Sequence, residues 1–130
     1  DIMEAKKHDH ILAITSHMPH LIAYNIVTTS LNIQDEKKSE IVKYSASGLR
    51  DFTRIAASNP IMWRDIFIQN KKNTSELINK FISNLEELKK AIENEDGKKL
   101  EEIFSKTKKI RKDILDAGQD VNKPDFGRKQ

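Results

Sequence analysis

Apolar residues recur at spacings of three and four across residues 11–31, as one buried face of a helix requires. Pro19 lies inside this stretch and removes the amide that would bond the carbonyl of Thr15. The pattern therefore predicts a long first helix with a kink or a restart near Ser16. The apolar positions are Ile11, Leu12, Ile14, Met18, Leu21, Ile22, Ile26 and Val27.

A second helical pattern starts at Asn59, whose side chain can cap a helix that has Pro60 at its first position. We expect one long helix from this cap to a break at residues 95–97, where Glu, Asp and Gly follow one another. A last helix then runs to Gly118, and the two helices form an antiparallel hairpin. Near-heptad stripes lie on one helix at Leu77, Phe81, Leu85, Leu88 and Ile92, and on the other at Leu100, Ile103, Ile110 and Ile114.

The remaining segments are short or polar. Residues 32–40 predict a turn, and residues 41–44 predict a short helical piece that leads to a loop at residues 45–48. We expect an all-α helical bundle with long helices, formed by one helical domain over residues 1–118 and followed by a flexible tail over residues 119–130.

Composition agrees with long, water-facing helices, since 33% of the 130 residues are charged and only 4 Gly and 3 Pro are present. The net charge of +3 comes from 23 basic and 20 acidic residues, which is too even a mixture to indicate nucleic-acid binding. The chain has no Cys, which excludes disulfides and thiolate catalysis and fits a reducing compartment. Neither a signal peptide nor an apolar run of roughly 18 residues is present. We expect a cytoplasmic protein with no membrane or nucleic-acid partner.

The chain begins with Asp1 and passes directly into helical sequence, which suggests a piece of a longer polypeptide. It contains no Gly-x-Gly-x-x-Gly, no Walker-type phosphate loop and no strand-like pattern. We therefore expect any nucleotide-binding domain to lie outside these residues.

All four histidines lie near the beginning of the chain, at His8, His10, His17 and His20. His17 and His20 are three positions apart and share a helix face, from which two imidazoles can bind a metal, orient a carboxylate or donate to an anion. Metal binding is the weaker alternative, because a closed site needs more ligands and only Asp9 lies nearby in sequence. The plainer alternative is that one His caps a helix or fills a contact.

Residues 48–63 gather cations, a carboxylate, hydroxyls and the only Trp, and they predict an anion-binding site. Asp51 and Arg54 are three positions apart, so the carboxylate can hold the guanidinium in one rotamer. The planar fork of Arg54 matches a carboxylate, which favours an organic acid as ligand. The alternative for this pair is a solvated ion pair that contributes only about 0.3 to 0.5 kcal/mol. A lone Trp is more often part of a core or an interface than of a ligand site, and we expect Trp63 to be buried in an interface, with room for a second role in lining a site shared between subunits.

Several motifs occur in one order along the chain. They are His8-Asp9, Ser16-His17-Met18-Pro19-His20, Gly48-x-Arg50-Asp51-Phe52-Thr53-Arg54-Ile55-Ala56 and Asn59-Pro60-x-Met62-Trp63. Over nearly the whole chain this order resembles the C-terminal helical domain of prephenate and arogenate dehydrogenases. The resemblance implies a two-domain enzyme in which an N-terminal Rossmann domain, absent here, binds NAD or NADP. It also implies that the helical domain forms an intertwined homodimer. Asn59 stands where Asp is frequent in the family and keeps a competent helix cap.

The same resemblance implies the oxidative decarboxylation of prephenate or arogenate in tyrosine biosynthesis. Hydride leaves the ring carbon that bears the hydroxyl, and the ring carboxylate departs as carbon dioxide. Carried over by motif, Arg54 binds a substrate carboxylate, Asp51 holds Arg54, and His20 lies in the pocket near the substrate. Trp63 approaches that pocket from the dimer interface. The principal catalytic His of the family belongs to the N-terminal domain, so this domain alone is expected to be inactive. The supporting positions are His17 and His8.

Two functions from other classes remain open. The chain could be a free-standing helical module that senses an aromatic-pathway acid or dimerises, with the same Arg54 site and no nucleotide domain. It could instead be a structural, coiled-coil-like domain in which His20, Asp51 and Arg54 bind nothing. The substitution Arg54→Ala separates these functions, because only a ligand site depends on this guanidinium.

Overall fold

The computed structural model describes residues 3–31 and 47–118, and within them every regular element is helical. The all-α prediction is confirmed. No helix in these two stretches is long and apolar enough to cross a membrane. The predicted turn at residues 32–40, the helical piece at residues 41–44 and the tail at residues 119–130 lie outside the described residues. The elements are α1 (Ala5–Leu12), a π turn (Ala13–His17), α2 (Met18–Leu31), α3 (Ser47–Thr53), a 3₁₀ turn (Arg54–Ala57), α4 (Pro60–Gln69), α5 (Lys71–Glu93) and α6 (Gly97–Asp116).

The π turn interrupts the predicted first helix. It closes with a bond from the Met18 N–H to the Ala13 carbonyl, one residue wider than an α-helical bond. Pro19 has no amide to donate to the Thr15 carbonyl, so a regular α ladder cannot continue through this point. The kink predicted near Ser16 therefore takes the form of a π turn.

The chain divides into two compact units, Asp1–Phe81 and Ile82–Gln130. In the first unit, α2 packs against α3 and the 3₁₀ turn. The Tyr24 hydroxyl donates a hydrogen bond of 2.9 Å to the Ser58 carbonyl. This bond fixes the segment that precedes α4 to the side of α2.

The helix start predicted at Asn59 is confirmed. The Asn59 Oδ1 accepts hydrogen bonds from the amides of Ile61 and Met62 at 3.0 and 3.2 Å. Pro60 occupies the first position of α4, where its missing amide costs nothing. The loop predicted over residues 45–48 is wrong where it can be compared, because α3 already includes Ser47 and Gly48.

The single long helix expected after this cap is divided at Asn70. This residue has φ −111° and ψ 34°, outside the helical region. Its amide still donates to the Ile66 carbonyl at 3.1 Å, and its carbonyl accepts from the Thr74 amide at 3.0 Å. The prediction of one continuous helix is therefore wrong at this residue, although backbone hydrogen bonding continues on both sides of it.

The break predicted before α6 is confirmed in the second unit. The Asp96 amide donates to the Ala91 carbonyl at 2.8 Å, and Glu95 has a left-handed φ of 53°, which is a Schellman-type helix end. The Asp96 carboxylate then caps α6 by accepting from the Lys99 amide at 3.1 Å. The Lys99 Nζ also lies 3.3 Å from the Glu87 Oε1 of α5, so an ion pair joins the two helices beside the turn.

Few large apolar side chains are buried. The buried apolar residues of the described part are Ala13, Ala23 and Trp63 in the first unit and Ala91 in the second. The stripe positions predicted to face each other stay largely open, as Leu85 and Ile92 are 54% and 62% exposed. The exposed large apolar residues of α5 and α6 are Phe81, Ile82, Leu85, Ile92, Phe104, Ile110 and Ile114.

The substitution Glu95→Gly is expected to raise the free energy of unfolding by up to about 1 kcal/mol, because Gly adopts positive φ without the clash of a Cβ. Glu95→Ala keeps the Cβ and should stay within about 0.5 kcal/mol of the starting protein. Urea denaturation of the three proteins measures the difference. Equal stabilities for the Gly and Ala variants would contradict a cost of the left-handed conformation.

Candidate functional site

Trp63 on α4 lies at the centre of a cluster of rings in the first unit. Its side chain is only 6% exposed. The His20 ring stacks on it, with centroids 3.8 Å apart and planes at 19°, whereas His17 meets it edge-on at 6.0 Å and 80°. Phe67, one turn further along α4, is tilted at 5.5 Å. Both histidines contact one indole, which confirms that they share a helix face.

The ring orientation of His20 is fixed by the helix that carries it. Its Nδ1 lies 2.7 Å from the Ser16 carbonyl oxygen. A carbonyl oxygen can only accept, so the hydrogen-bond partner assigns a proton to Nδ1. The Nε2 of His20 is then the nitrogen left for another partner.

A carboxamide from the end of α4 contacts His17. The Nδ2 of Asn70 lies 2.8 Å from the Asp9 carbonyl oxygen and 3.2 Å from the His17 Nδ1. The Asp9 carbonyl only accepts, so the amide nitrogen must face it, and the second amide hydrogen is directed to His17. A donor therefore faces the Nδ1 of His17. Sequence analysis missed Asn70, for which the only available signal was the tendency of Asn to end helices.

Burial lowers the pKa of His17 from its ordinary value of 6.5, because desolvation disfavours the imidazolium. The Asp9 carboxylate acts in the opposite direction and raises the pKa, while His20 and His8 lower it. The hydrogen bond from Asn70 also favours the neutral ring, since an imidazolium has no nitrogen that can accept.

The indole N–H of Trp63 is buried and has no hydrogen-bond partner in the part of the chain that the structure describes. A buried donor left in this state costs about 1 to 3 kcal/mol. The burial of Trp63 is achieved by its own chain, through His20, His17 and Phe67. Its approach to a pocket from a dimer interface stays a prediction.

Asp51 and Arg54 belong to elements other than those that carry the ring cluster. Asp51 is on α3, Arg54 begins the 3₁₀ turn, and both side chains are exposed. Among the described residues no ion pair joins them. The predicted pairing is therefore not formed here, because a solvated pair of this kind gains less than about 1 kcal/mol and water competes for both groups. Their roles in ligand binding stay predictions.

The other two histidines do not join the ring cluster. His8 forms an exposed pair with the neighbouring Asp9, with Nδ1 and Oδ1 3.3 Å apart, and His10 is exposed. Within residues 3–31 and 47–118 there is no group of three or more His, Cys, Asp or Glu that could hold a metal ion.

These features define an all-helical domain with a histidine–tryptophan cluster between its first helices and α4. Residues 4–106 match the family model described as the dimerization domain of prephenate dehydrogenase. The chain belongs to this family, and the resemblance seen in its sequence motifs is confirmed.

Curated relatives and solved structures agree with this assignment. The cyclohexadienyl dehydrogenase of Zymomonas mobilis is 40% identical over 111 residues, which cover 85% of this chain and 38% of that protein. The prephenate dehydrogenase of Bacillus subtilis is 34% identical over 110 residues, covering 84% of this chain and 29% of that protein. The chain thus spans less than two fifths of the length of these relatives.

The fold is shared with solved dehydrogenases. The prephenate dehydrogenase from A. aeolicus, in complex with hydroxyphenyl propionate and NAD+, has a TM-score of 0.79 at 38% identity over 88% of this chain and 40% of that chain. The arogenate dehydrogenase of Synechocystis has a TM-score of 0.81, covering 88% of this chain and 41% of that chain, and at 19% identity it shows the fold alone.

Acid should destabilise the chain through His17. Because the folded chain lowers the pKa of this group, its contribution to stability is complete above the unfolded value of 6.5 and is lost as the pH falls through that value toward the folded pKa. His17→Gln removes the titration and keeps an amide oxygen that can accept from Asn70. Urea unfolding between about pH 7 and about pH 5 should therefore show a flatter pH dependence for this variant.

His10→Gln serves as the matched control, since the exposed His10 makes none of these contacts. It should retain the slope of the starting protein. Superimposable pH profiles for His17→Gln and the starting protein would contradict the assignment of the acid sensitivity to His17.

Proposed function

We propose that this chain is the dimerisation and substrate-binding domain of a dehydrogenase that oxidatively decarboxylates prephenate or arogenate with NAD or NADP in the cytoplasm. The observation that carries the proposal is the family match over residues 4–106, combined with the stack of His20 and Trp63 at two of its motif positions. The A. aeolicus relative was solved with an aromatic carboxylic acid and a nicotinamide nucleotide, which supports the same ligand classes here.

The nucleotide is assigned to another domain of the same enzyme. The described residues contain no β-strand, and the sequence has no Gly-x-Gly-x-x-Gly, so they do not form the usual strand-loop-helix cradle. When bound by its own domain, the nucleotide accepts a hydride. The residues of this chain bind and orient the acid, and the chain alone is inactive.

His20 is suited to a place beside the substrate. The Ser16 carbonyl holds its Nδ1–H, and the face of Trp63 holds its ring plane. Only Nε2 is left to accept a proton or a hydrogen bond from a ligand. A ring held in this way loses little further freedom when the ligand binds, which favours precise orientation.

Arg54 is suited to recognition of a substrate carboxylate. Its exposed guanidinium begins the 3₁₀ turn that packs against α2, the helix that carries His20. Two parallel N–H donors match the two oxygens of a carboxylate. Asp51, three residues earlier, would align the guanidinium when the ligand displaces water from it.

The apolar stripes of α5 and α6 are assigned to a homodimer interface. Leu85, Ile92 and Ile110 are 54%, 62% and 52% exposed, which is unusual for side chains of this size on a regular stripe. Contiguous exposed apolar surface marks an interaction site. The family is described as a dimerization domain, so a second copy is the occupant with the strongest support.

Arg54→Ala in the enzyme that contains both domains is expected to weaken transition-state binding by at least about 1.5 to 3 kcal/mol, the contribution of a charge-assisted hydrogen bond, and so to lower kcat/KM. This corresponds to roughly one to two orders of magnitude. The measurement is the reduction of NAD+ or NADP+ in the presence of prephenate or arogenate. Arg64→Ala is the matched control, because Arg64 is an exposed arginine that pairs with its neighbour Asp65 at 2.9 Å.

The same assay separates the alternatives. If Arg54→Ala leaves turnover unchanged, Arg54 does not belong to the substrate site. Binding of the acid by the whole protein without any turnover would favour the ligand-sensing module. If the protein shows neither binding nor turnover, the structural interaction domain is the alternative that remains.

Leu85→Glu is expected to dissociate the dimer, because it places a charge in the proposed apolar interface. Ser83→Glu introduces the same charge on the same helix, away from the apolar stripe, and should leave the dimer intact. Sedimentation equilibrium across a dilution series measures both. A Leu85→Glu protein that remains dimeric at the lowest concentration would argue against this interface.

A further inference from the structure

Asn70 uses all of its hydrogen-bonding groups, although it lies at a helix junction. Its amide and carbonyl bond to Ile66 and Thr74 along the chain, and the Thr74 hydroxyl adds a second bond of 2.8 Å to the same carbonyl. Its Oδ1 accepts from the Asn73 Nδ2 at 2.9 Å. Its Nδ2 donates to two groups that are distant in sequence, the Asp9 carbonyl and the His17 Nδ1. Nothing in the backbone alone explains the last two bonds.

The Asp9 carbonyl determines the orientation of this carboxamide. If it were reversed, its oxygen would face the Asp9 carbonyl oxygen at 2.8 Å. Two acceptors at such a distance repel each other. The Asn73 carboxamide accommodates the observed orientation, with its Nδ2 2.9 Å from the Asn70 Oδ1. In this orientation the His17 Nδ1 meets a donor.

We propose that Asn70 is a positioning residue that holds His17 in the tautomer with the proton on Nε2. His17 then offers the site a neutral hydrogen-bond donor. His20, whose Nδ1–H is taken by Ser16, offers an acceptor at its own Nε2 when neutral. Two histidines on one indole thereby acquire different tasks, and His17 in this state cannot serve as a base through Nε2. The use of this donor by a substrate oxygen rests on the proposed function, whereas the tautomer does not.

The charged groups and burial around His17 favour its neutral form but do not select its tautomer. The Asp9 carboxylate favours the imidazolium, whereas burial, His20 and His8 oppose it. An imidazolium or an Nδ1–H tautomer would turn a donor toward the Asn70 amide and break its bond. The carboxamide therefore opposes the effect of the nearby carboxylate and selects one of the two neutral forms as well.

The test is a direct reading of the tautomer in the 130-residue chain labelled with ¹⁵N-histidine. Long-range ¹H–¹⁵N correlation spectra distinguish a protonated ring nitrogen from a bare one. Because the chain has four histidines, the loss of one set of signals in His17→Gln assigns that set to His17. We expect a bare Nδ1 and a protonated Nε2. A protonated Nδ1, or an even mixture of both forms, would overturn the proposal without any variant.

Asn70→Asp tests the cause of the preference. The carboxylate has the same size and can only accept, so His17 should change to the Nδ1–H form or to the imidazolium, with a higher titration midpoint. Asn70→Ala removes the donor and should give a mixture of tautomers. Asn79→Asp adds the same charge to an exposed position of α5 and should leave the His17 spectrum unchanged. Retention of the Nε2–H form in both Asn70 variants, with helicity preserved in circular dichroism, would overturn the proposal.

Failure of this proposal is distinguishable from failure of the proposed function. The spectra need neither substrate nor nucleotide, so an unexpected tautomer removes the role of Asn70 and leaves the dehydrogenase assignment in place. Absence of turnover in the enzyme that contains both domains removes the assignment and leaves the tautomer.

Discussion

The missing amide of Pro19 is the constraint on which the site depends, since it prevents the first helix from continuing as a regular α-helix. The five residues of the π turn accommodate the missing backbone hydrogen bond. The wider turn rotates the residues that precede it relative to those that follow. His17 lies at the end of this turn and His20 lies just beyond it, and their rings meet Trp63 with different geometries, one edge-on and one stacked. The bond from Tyr24 to Ser58 and the carboxamide of Asn70 then hold the later segments against this arrangement.

The parts of the fold that sequence analysis predicted correctly depend on neighbours along the chain. The cap at Asn59, the break before α6 and the interruption near Pro19 all follow from local backbone chemistry. The division at Asn70 was not predictable in this way, because its side chain bonds to α1 and the π turn, far away in sequence. A helix pattern alone gives no sign of such a contact.

The candidate site also combines features that neighbouring residues determine with features that contacts distant in sequence determine. The spacing of His17 and His20 predicted a shared face, but the stack on Trp63 required the packing of α4 beside the first helices. The pairing of Asp51 with Arg54 was a reasonable expectation from spacing and is not formed, because an exposed ion pair is too weak to hold two long side chains in one geometry. Spacing therefore predicts which residues share a face, whereas burial decides which of them interact.

Trp63 is the only tryptophan of the chain, and its ring lies 3.8 Å from that of His20. An excited indole is quenched by a protonated imidazole in contact with it, so its emission depends on the charges of His20 and His17 and on anything that separates their rings from Trp63. The tryptophan fluorescence of the chain consequently reports on this one cluster of rings rather than on an average over many environments. The ring that shapes the candidate site is also an optical probe already built into it.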